Sequence, residues 1–170
     1  MKIIILVLSQ ILFIVGLSSS QTEGKTIIND GLYPISKLGT DSMKFDSIKT
    51  NEVIIQFNYL FIEKTDLEYS QILVDTTEYV PLELEELPTA VQQTEKKKKL
   101  MFSLTKDASE KLKVFTENHI MSRVALVVDG QAVSIHKIRE PITSGQLQIT
   151  TCSDNACERL VVKMKSNLKQ

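Results

Sequence analysis

The stretch from Val124 to Ile149, VALVVDGQAVSIHKIREPITSGQLQI, constrains the fold more than any other part of this chain. Val124, Leu126 and Val128 alternate with Ala125 and Val127. All five are apolar, which suits a strand buried on both faces. Asp129-Gly130 follows. A two-residue type I′ turn needs positive φ at both central positions, which Gly adopts freely and Asp tolerates. Gln131 to Ile138 then carries Val133 and Ile135 at period two, as a return strand would. It ends at Arg139-Glu140-Pro141, because Pro141 has no N–H to donate to a ladder. Ser144-Gly145 marks another turn, and Gln146 to Thr150 reads as a third strand.

The first residues read as a targeting segment rather than as fold. Lys2 supplies a minimal positive charge, and Ile3 to Val15 is an apolar run broken by Ser9 and Gln10. Ser18-Ser19-Ser20 places small residues where a signal peptidase reads, so cleavage is expected after Ser20, giving a signal peptide over 1–20. The competing reading, a retained anchor, would need about 20 apolar residues. No Cys lies near Ser20 to accept a lipid. Roughly 150 residues then remain, the size of one domain. Losing Lys2 takes the formal charge from −1 to −2. Such a balance gives no reason to expect nucleic acid as a partner. With no second long apolar run, the mature chain is expected to be periplasmic or secreted, without a transmembrane span.

Residues 21–50 are rich in Gly, Ser, Thr, Asn and Asp and include Pro34. They read as a loose lead-in with a short strand near Thr26 to Ile28. The expected single domain runs over 51–170. Glu52 to Ile62 places Val53, Ile55, Phe57, Tyr59 and Phe61 on one face, which predicts a strand. Ser70 to Val80 predicts a second. Pro81 to Gln93 is acidic and predicts a short helix from Thr89. Glu95 to Lys99 is a charge run, read as a solvated loop or a gatekeeper beside the apolar strand Leu100 to Leu104. Thr105 is placed as the N-cap of a helix to about His119, with Asp107 in its first turn and Ala108, Leu112 and Phe115 on its buried face. Ser153 is placed as the N-cap of a last helix with the stripe Cys157, Leu160, Val161 and Met164. Lys163, Lys165 and Lys169 lie near its end, where cations are favoured. This order predicts an α+β fold: an antiparallel or mixed sheet with two amphipathic helices on one face.

Few residues offer chemistry. His119 falls at a helix end, where capping is the expected role, and His136 lies on a strand without a neighbouring carboxylate or thiol in sequence. Asp129 reads as a turn residue. The acidic run Leu82 to Leu87 reads as a solvated face. The chain has six glycines and no glycine-rich phosphate loop. No catalytic, metal or cofactor site assembles from these patterns.

Several segments resemble the first periplasmic domain, the head, of the SecD subunit of the protein-export translocase. Leu100 to Ile120 (LMFSLTKDASEKLKVFTENHI) is similar to its strand, Leu-Thr step and helix. Arg123 to Asp129 resembles its Leu-Ala-Ile-Val-Leu-Asp-Gly strand and turn. Ile138 to Gly145 (IREPITSG) resembles its Ile-Arg-Glu-Pro-Ile-Thr-Gly-Gly segment, and Ser153 to Leu160 its next capped helix. The likeness covers about 100–165, with a weaker echo from Tyr79. This chain departs at Ile135-His136, where the family has Ala-Pro, and at Thr150-Thr151, where it has Gly. Nothing in it matches the translocase's membrane bundle and proton-conducting carboxylates. The resemblance thus implies a head that contacts emerging polypeptide, not a motor.

Cys152 and Cys157 are the two cysteines, at neither a redox nor a zinc spacing. With Ser153 as N-cap they occupy N′ and N4, which touch in a hydrophobic staple. The family places an aromatic and an Ala at these positions. A disulfide replacing the staple would suit an oxidising compartment; two buried thiols are the alternative. The expected function is a non-enzymatic protein-binding module. Its partner would be an exported polypeptide or an envelope or Sec component, with Arg139 and Glu140 as possible contacts and an open sheet edge as the means. The alternative is a small periplasmic ligand-binding protein or enzyme reusing the fold.

Overall fold

The computed structural model describes residues 28–58, 69–88, 90–92, 98–152 and 155–167. The expected signal peptide 1–20 lies outside them, as do Tyr59, Phe61, Thr26 and the start of the charge run. The described elements are β1 (Gly31–Gly39), β2 (Glu52–Gln56), β3 (Gln71–Asp75), β4 (Val80–Pro81), β5 (Ala90–Gln92), β6 (Lys98–Ser103), α1 (Lys106–Asn118), β7 (Arg123–Val128), β8 (Gln131–Lys137), β9 (Gln146–Cys152) and α2 (Ala156–Asn167).

The larger sheet runs β2-β3-β1-β7-β8, with every neighbouring pair antiparallel. β7 is its two-faced member: Val124, Leu126 and Val128 enter one core and Ala125 and Val127 the other. Residues 31–39, expected within a loose lead-in, instead form β1 against β7, through pairs from Gly31–Val127 to Pro34–Val124. Composition hid this strand. Its turn-forming residues flank Leu32 and Tyr33, which are buried in opposite cores. Tertiary burial overrides local propensity here. Ile28 lies before β1 and in no strand, and the rest of the short strand expected near it lies outside the described residues.

The strand expected over Ser70 to Val80 is broken into β3 and β4, both on the same edge of β1. Asp75 explains the break. Its carboxylate accepts from the Thr77 N–H at 2.8 Å and from the Thr77 hydroxyl at 2.6 Å. This side chain competes with the ladder for local donors. Burial acts to raise the Asp75 pKa, but the hydrogen bonds from Thr77 and Asn51 outweigh it and hold the carboxyl below its ordinary value.

Five antiparallel strands leave the first and last pointing the same way, so a sheet that curls shut must join them in parallel. Phe57, just after β2, forms such a parallel bridge with Ala132 of β8. The Asn58 N–H adds a 2.8 Å bond to the Ala132 carbonyl. Tyr33, Ile55, Phe57, Ile72, Val74, Ala125, Val127 and Ala132 fill the resulting ring.

The second sheet runs β5-β6-β9. The third strand of the opening segment therefore leaves the hairpin and pairs with β6. The expected helix from Thr89 is β5 instead, paired residue by residue from Ala90–Leu100 to Gln92–Lys98. A stretch this short cannot offset the cost of helix nucleation, whereas a strand edge can recruit it. Both helices pack on one core with the inner residues of both sheets, among them Phe102, Leu112, Leu126, Leu147 and Leu160. The fold is α+β, with antiparallel strands in two sheets rather than one. Thr105 caps α1, its side chain accepting from the Ala108 N–H. Ser153, expected to cap α2, lies outside the described residues, and within them the Arg159 N–H donates to the Asn155 carbonyl at 3.0 Å.

Candidate functional site

The two sheets diverge where β8 ends and β9 begins, and the gap opens as a cleft of about 300 Å³. Its apolar wall includes Leu32, Phe102, Val124, Leu126 and Leu147, each buried in the shared core. Its rim carries His136, Lys137, Arg139, Glu140, Gln146 and Gln148. Residues 138–145 span the gap, and α1 and the turn after it hold them there. The Ile138 N–H donates to the Ser122 carbonyl, and the Met121 N–H to the Ile138 carbonyl. The Ile142 N–H donates at 2.9 Å to the hydroxyl of Thr116, which is fully buried and lines the cleft.

β9 forms the cleft's other border. It pairs with β6, and among the described residues its far edge has no strand partner. Gln146 and Gln148 are exposed. Unpaired main-chain groups along such an edge can accept an added strand. An apolar trough beside that edge can take alternate side chains of the added strand, because side chains alternate across a strand.

Arg139 and Glu140 are exposed on the rim. Pro141 follows them, also exposed, where the chain leaves β8. Gly145 has φ +65°, and a Cβ there would lie 2.2 Å from the Ser109 hydroxyl oxygen. Gly145 therefore sets how closely β9 starts against α1. Asp129 and Gly130 have φ of +53° and +68° at the opposite end of the hairpin. The Asp129 N–H donates to Asp30, and its carboxylate meets Lys163 at 3.2 Å. Those two turn residues are thus not brought to the cleft. Cys157 is fully buried in α2, while the backbone of Cys152 ends β9 opposite Lys98. Lys98 in turn pairs with Glu158 of α2, and this hydrogen bond is the main cause holding the Glu158 carboxyl below its ordinary value.

The two histidines divide. His119 caps α1, with Nδ1 2.8 Å from the Phe115 carbonyl and Nε2 3.4 Å from Glu78. His136 lines the cleft, and burial lowers its pKa. Its Nε2 lies 3.0 Å from the Ser134 hydroxyl. Sequence reasoning missed this pairing and the role of Thr116. Period two would have found the first, since Ser134 and His136 share a strand face. Nothing local signals the second, which depends on α1 meeting residue 142. Among the described residues no group of three His, Cys, Asp or Glu could hold a metal ion. No described helix is long and apolar enough to cross a membrane.

Comparison with known proteins agrees with the segment resemblance and extends it upstream. The family model of the SecDF P1 head subdomain matches residues 61–167. Among solved structures, a membrane component SecDF that enhances protein export is 28% identical, over 48% of this chain and 40% of that one, with a TM-score of 0.43. SecDF in a super-membrane-facing form is 19% identical, over 78% of this chain and 18% of that one, with a TM-score of 0.48. SecDF from Thermus, a translocon-associated membrane protein, is 15% identical, over 79% and 29%, with a TM-score of 0.38. This chain thus spans less than half the length of each. No curated protein matches it. The family match takes in β3 to α2, including the segment IREPITSG and every cleft-lining residue but Leu32, and on it the chain belongs to the SecDF P1 head subdomain family.

Proposed function

We propose that the protein is an exported binding module that captures extended polypeptide by adding it as a strand to β9. The observation that carries this reading is the unpaired β9 edge lying beside an apolar cleft. Main-chain hydrogen bonds at the edge provide affinity without demanding a sequence, and the cleft favours segments with alternating apolar side chains. Arg139 and Glu140 meet the ligand from the rim. Family membership supports a place in protein export, since one related SecDF enhances that process. The apolar run Ile3 to Val15, followed by Ser18 to Ser20, supports secretion to the periplasm with cleavage after Ser20. A cleft of about 300 Å³ sits at the small end of sites for low-molecular-weight ligands, and its rim residues Lys137, Arg139 and Glu140 are exposed. Both points favour a polypeptide.

The reading includes a disulfide between Cys152 and Cys157. Cys157 holds no free thiol, and Cys152 is the chain's other cysteine. The bond would tie the end of the open strand to α2.

A photo-crosslinking residue at Gln148 tests the function, with one at exposed Glu117 of α1 as control. The probe is an end-blocked, rhodamine-labelled peptide of alternating Leu and Ser. Crosslinking at Gln148 and not at Glu117 is expected. Equal yields at both positions, or none at either, would sink the proposal.

A further inference from the structure

We propose that His136 makes capture of uncharged apolar polypeptide at this cleft pH-dependent, with binding at neutral pH and release on acidification. This rests on the strand-capture reading above and adds a control to it. Three observations carry it. His136 lines the cleft directly, rather than lying behind its wall. Its Nε2 faces the hydroxyl of Ser134, itself 5% exposed, at 3.0 Å. A neutral ring can accept that proton at Nε2, whereas a protonated ring is a donor at both nitrogens and loses the acceptor. Third, the charged residues that line the cleft with His136 are Lys137 at the end of β8 and Arg139 and Glu140 on the connection, two cations and one anion, all exposed. Among the described residues, those that β1, β6, β7, α1 and β9 contribute to the cleft include no ionisable side chain.

A charge at His136 would therefore share an apolar cleft with Leu32, Phe102 and Leu126, beside a net positive rim. Burial already favours the neutral ring. An apolar ligand side chain entering the cleft removes more water from the ring and disfavours the charged form further. Linkage makes the effect reciprocal: what disfavours the proton when ligand is bound must disfavour the ligand when the proton is bound. The direction follows from the ligand's chemistry, and an acidic peptide would not be expected to share it.

The test uses the full chain and the same rhodamine-labelled Leu-Ser peptide, with affinity read by fluorescence anisotropy between pH 7.5 and 5.5. One proton can change affinity by at most about tenfold per pH unit. The wild type is expected to lose several-fold affinity across this range. His136→Gln, whose amide oxygen keeps an acceptor for Ser134, is expected to bind with little dependence on pH. A flat wild-type profile overturns the proposal, and so does an undiminished slope in His136→Gln. Absence of binding at every pH removes the strand-capture reading and this proposal with it. Circular dichroism marks any acid unfolding, and affinities are compared above that pH. A second readout is the ring-proton titration of His136 by NMR. Its midpoint is expected to fall when the peptide is saturating, and an unmoved midpoint overturns the proposal whatever the affinities do.

Discussion

The two sheets of this protein treat their edges in opposite ways. In the larger one, β2 and β8 would both be edges, but the curl brings Phe57 to Ala132 and joins them. Its core around Tyr33, Ile72 and Val127 lies inside that ring. In the smaller sheet β9 keeps a free edge among the described residues, and the core behind it reaches the surface as the cleft. One strand, β7, serves both cores, so the difference does not come from separate domains. It comes from how the chain leaves β8. Pro141 and the bonds that Ile138 and Ile142 make with Thr116, Met121 and Ser122 redirect it, and among the described residues β9 is delivered to another sheet with one side unpaired. A closed ring suits a scaffold, while an open edge beside an apolar trough suits recognition.

Truncating one large buried side chain in each core gives the largest effects. Phe102→Ala, in the cleft wall, should cost about 3–5 kcal/mol, and Ile72→Ala, in the ring, about 2–5 kcal/mol, both by urea unfolding. Only Phe102→Ala should also change peptide affinity; an equal change from Ile72→Ala would erase the functional distinction between the two regions. Reducing the proposed Cys152–Cys157 bond should lower stability by about 2 kcal/mol at most, since the closed loop is short. Labelling of both thiols in the native, unreduced protein would show that no such bond exists.

Two glycines sharpen the comparison. Gly130 and Gly145 share a positive φ, but only Gly145 has a neighbour where a Cβ would sit. Gly130→Ala should cost about 1–2 kcal/mol from backbone strain alone. Gly145→Ala should cost more and should weaken peptide binding, because Ser109 must move away from the start of β9. Equal costs in chemical denaturation would mean that the Ser109 contact relaxes freely.

The smallest effect concerns pH. The folded pKa of His136 lies below its ordinary value, so the unfolded chain takes up the proton first. Stability should therefore decline as pH falls below about 6.5, and His136→Gln should remove that share of the decline. Urea midpoints at pH 7.5 and 5.5 for both proteins measure it. An identical decline in the two would show that other groups account for it.

The parts legible in sequence were those whose signal is local. The alternation of Val124 to Val128, the Asp129-Gly130 turn, the Thr105 cap and the Ala108–Leu112–Phe115 face each depend on a few adjacent residues. β1 was illegible because its pairing partners, Val74 and Val127 among them, lie far along the chain. Of the candidate site, Arg139 and Glu140 could be named from the segment that carries the family likeness. The cleft itself could not, since its walls come from β1, β6, β7 and β9 and exist only once the two sheets part.

The most direct test of the open edge is residue-resolved amide exchange with and without the Leu-Ser peptide. The account predicts new protection along Gln146–Cys152, together with changes at residues 137–142, while β2 and β3 exchange as before. Protection appearing on β2 and β3 instead, or nowhere on β9, would contradict it.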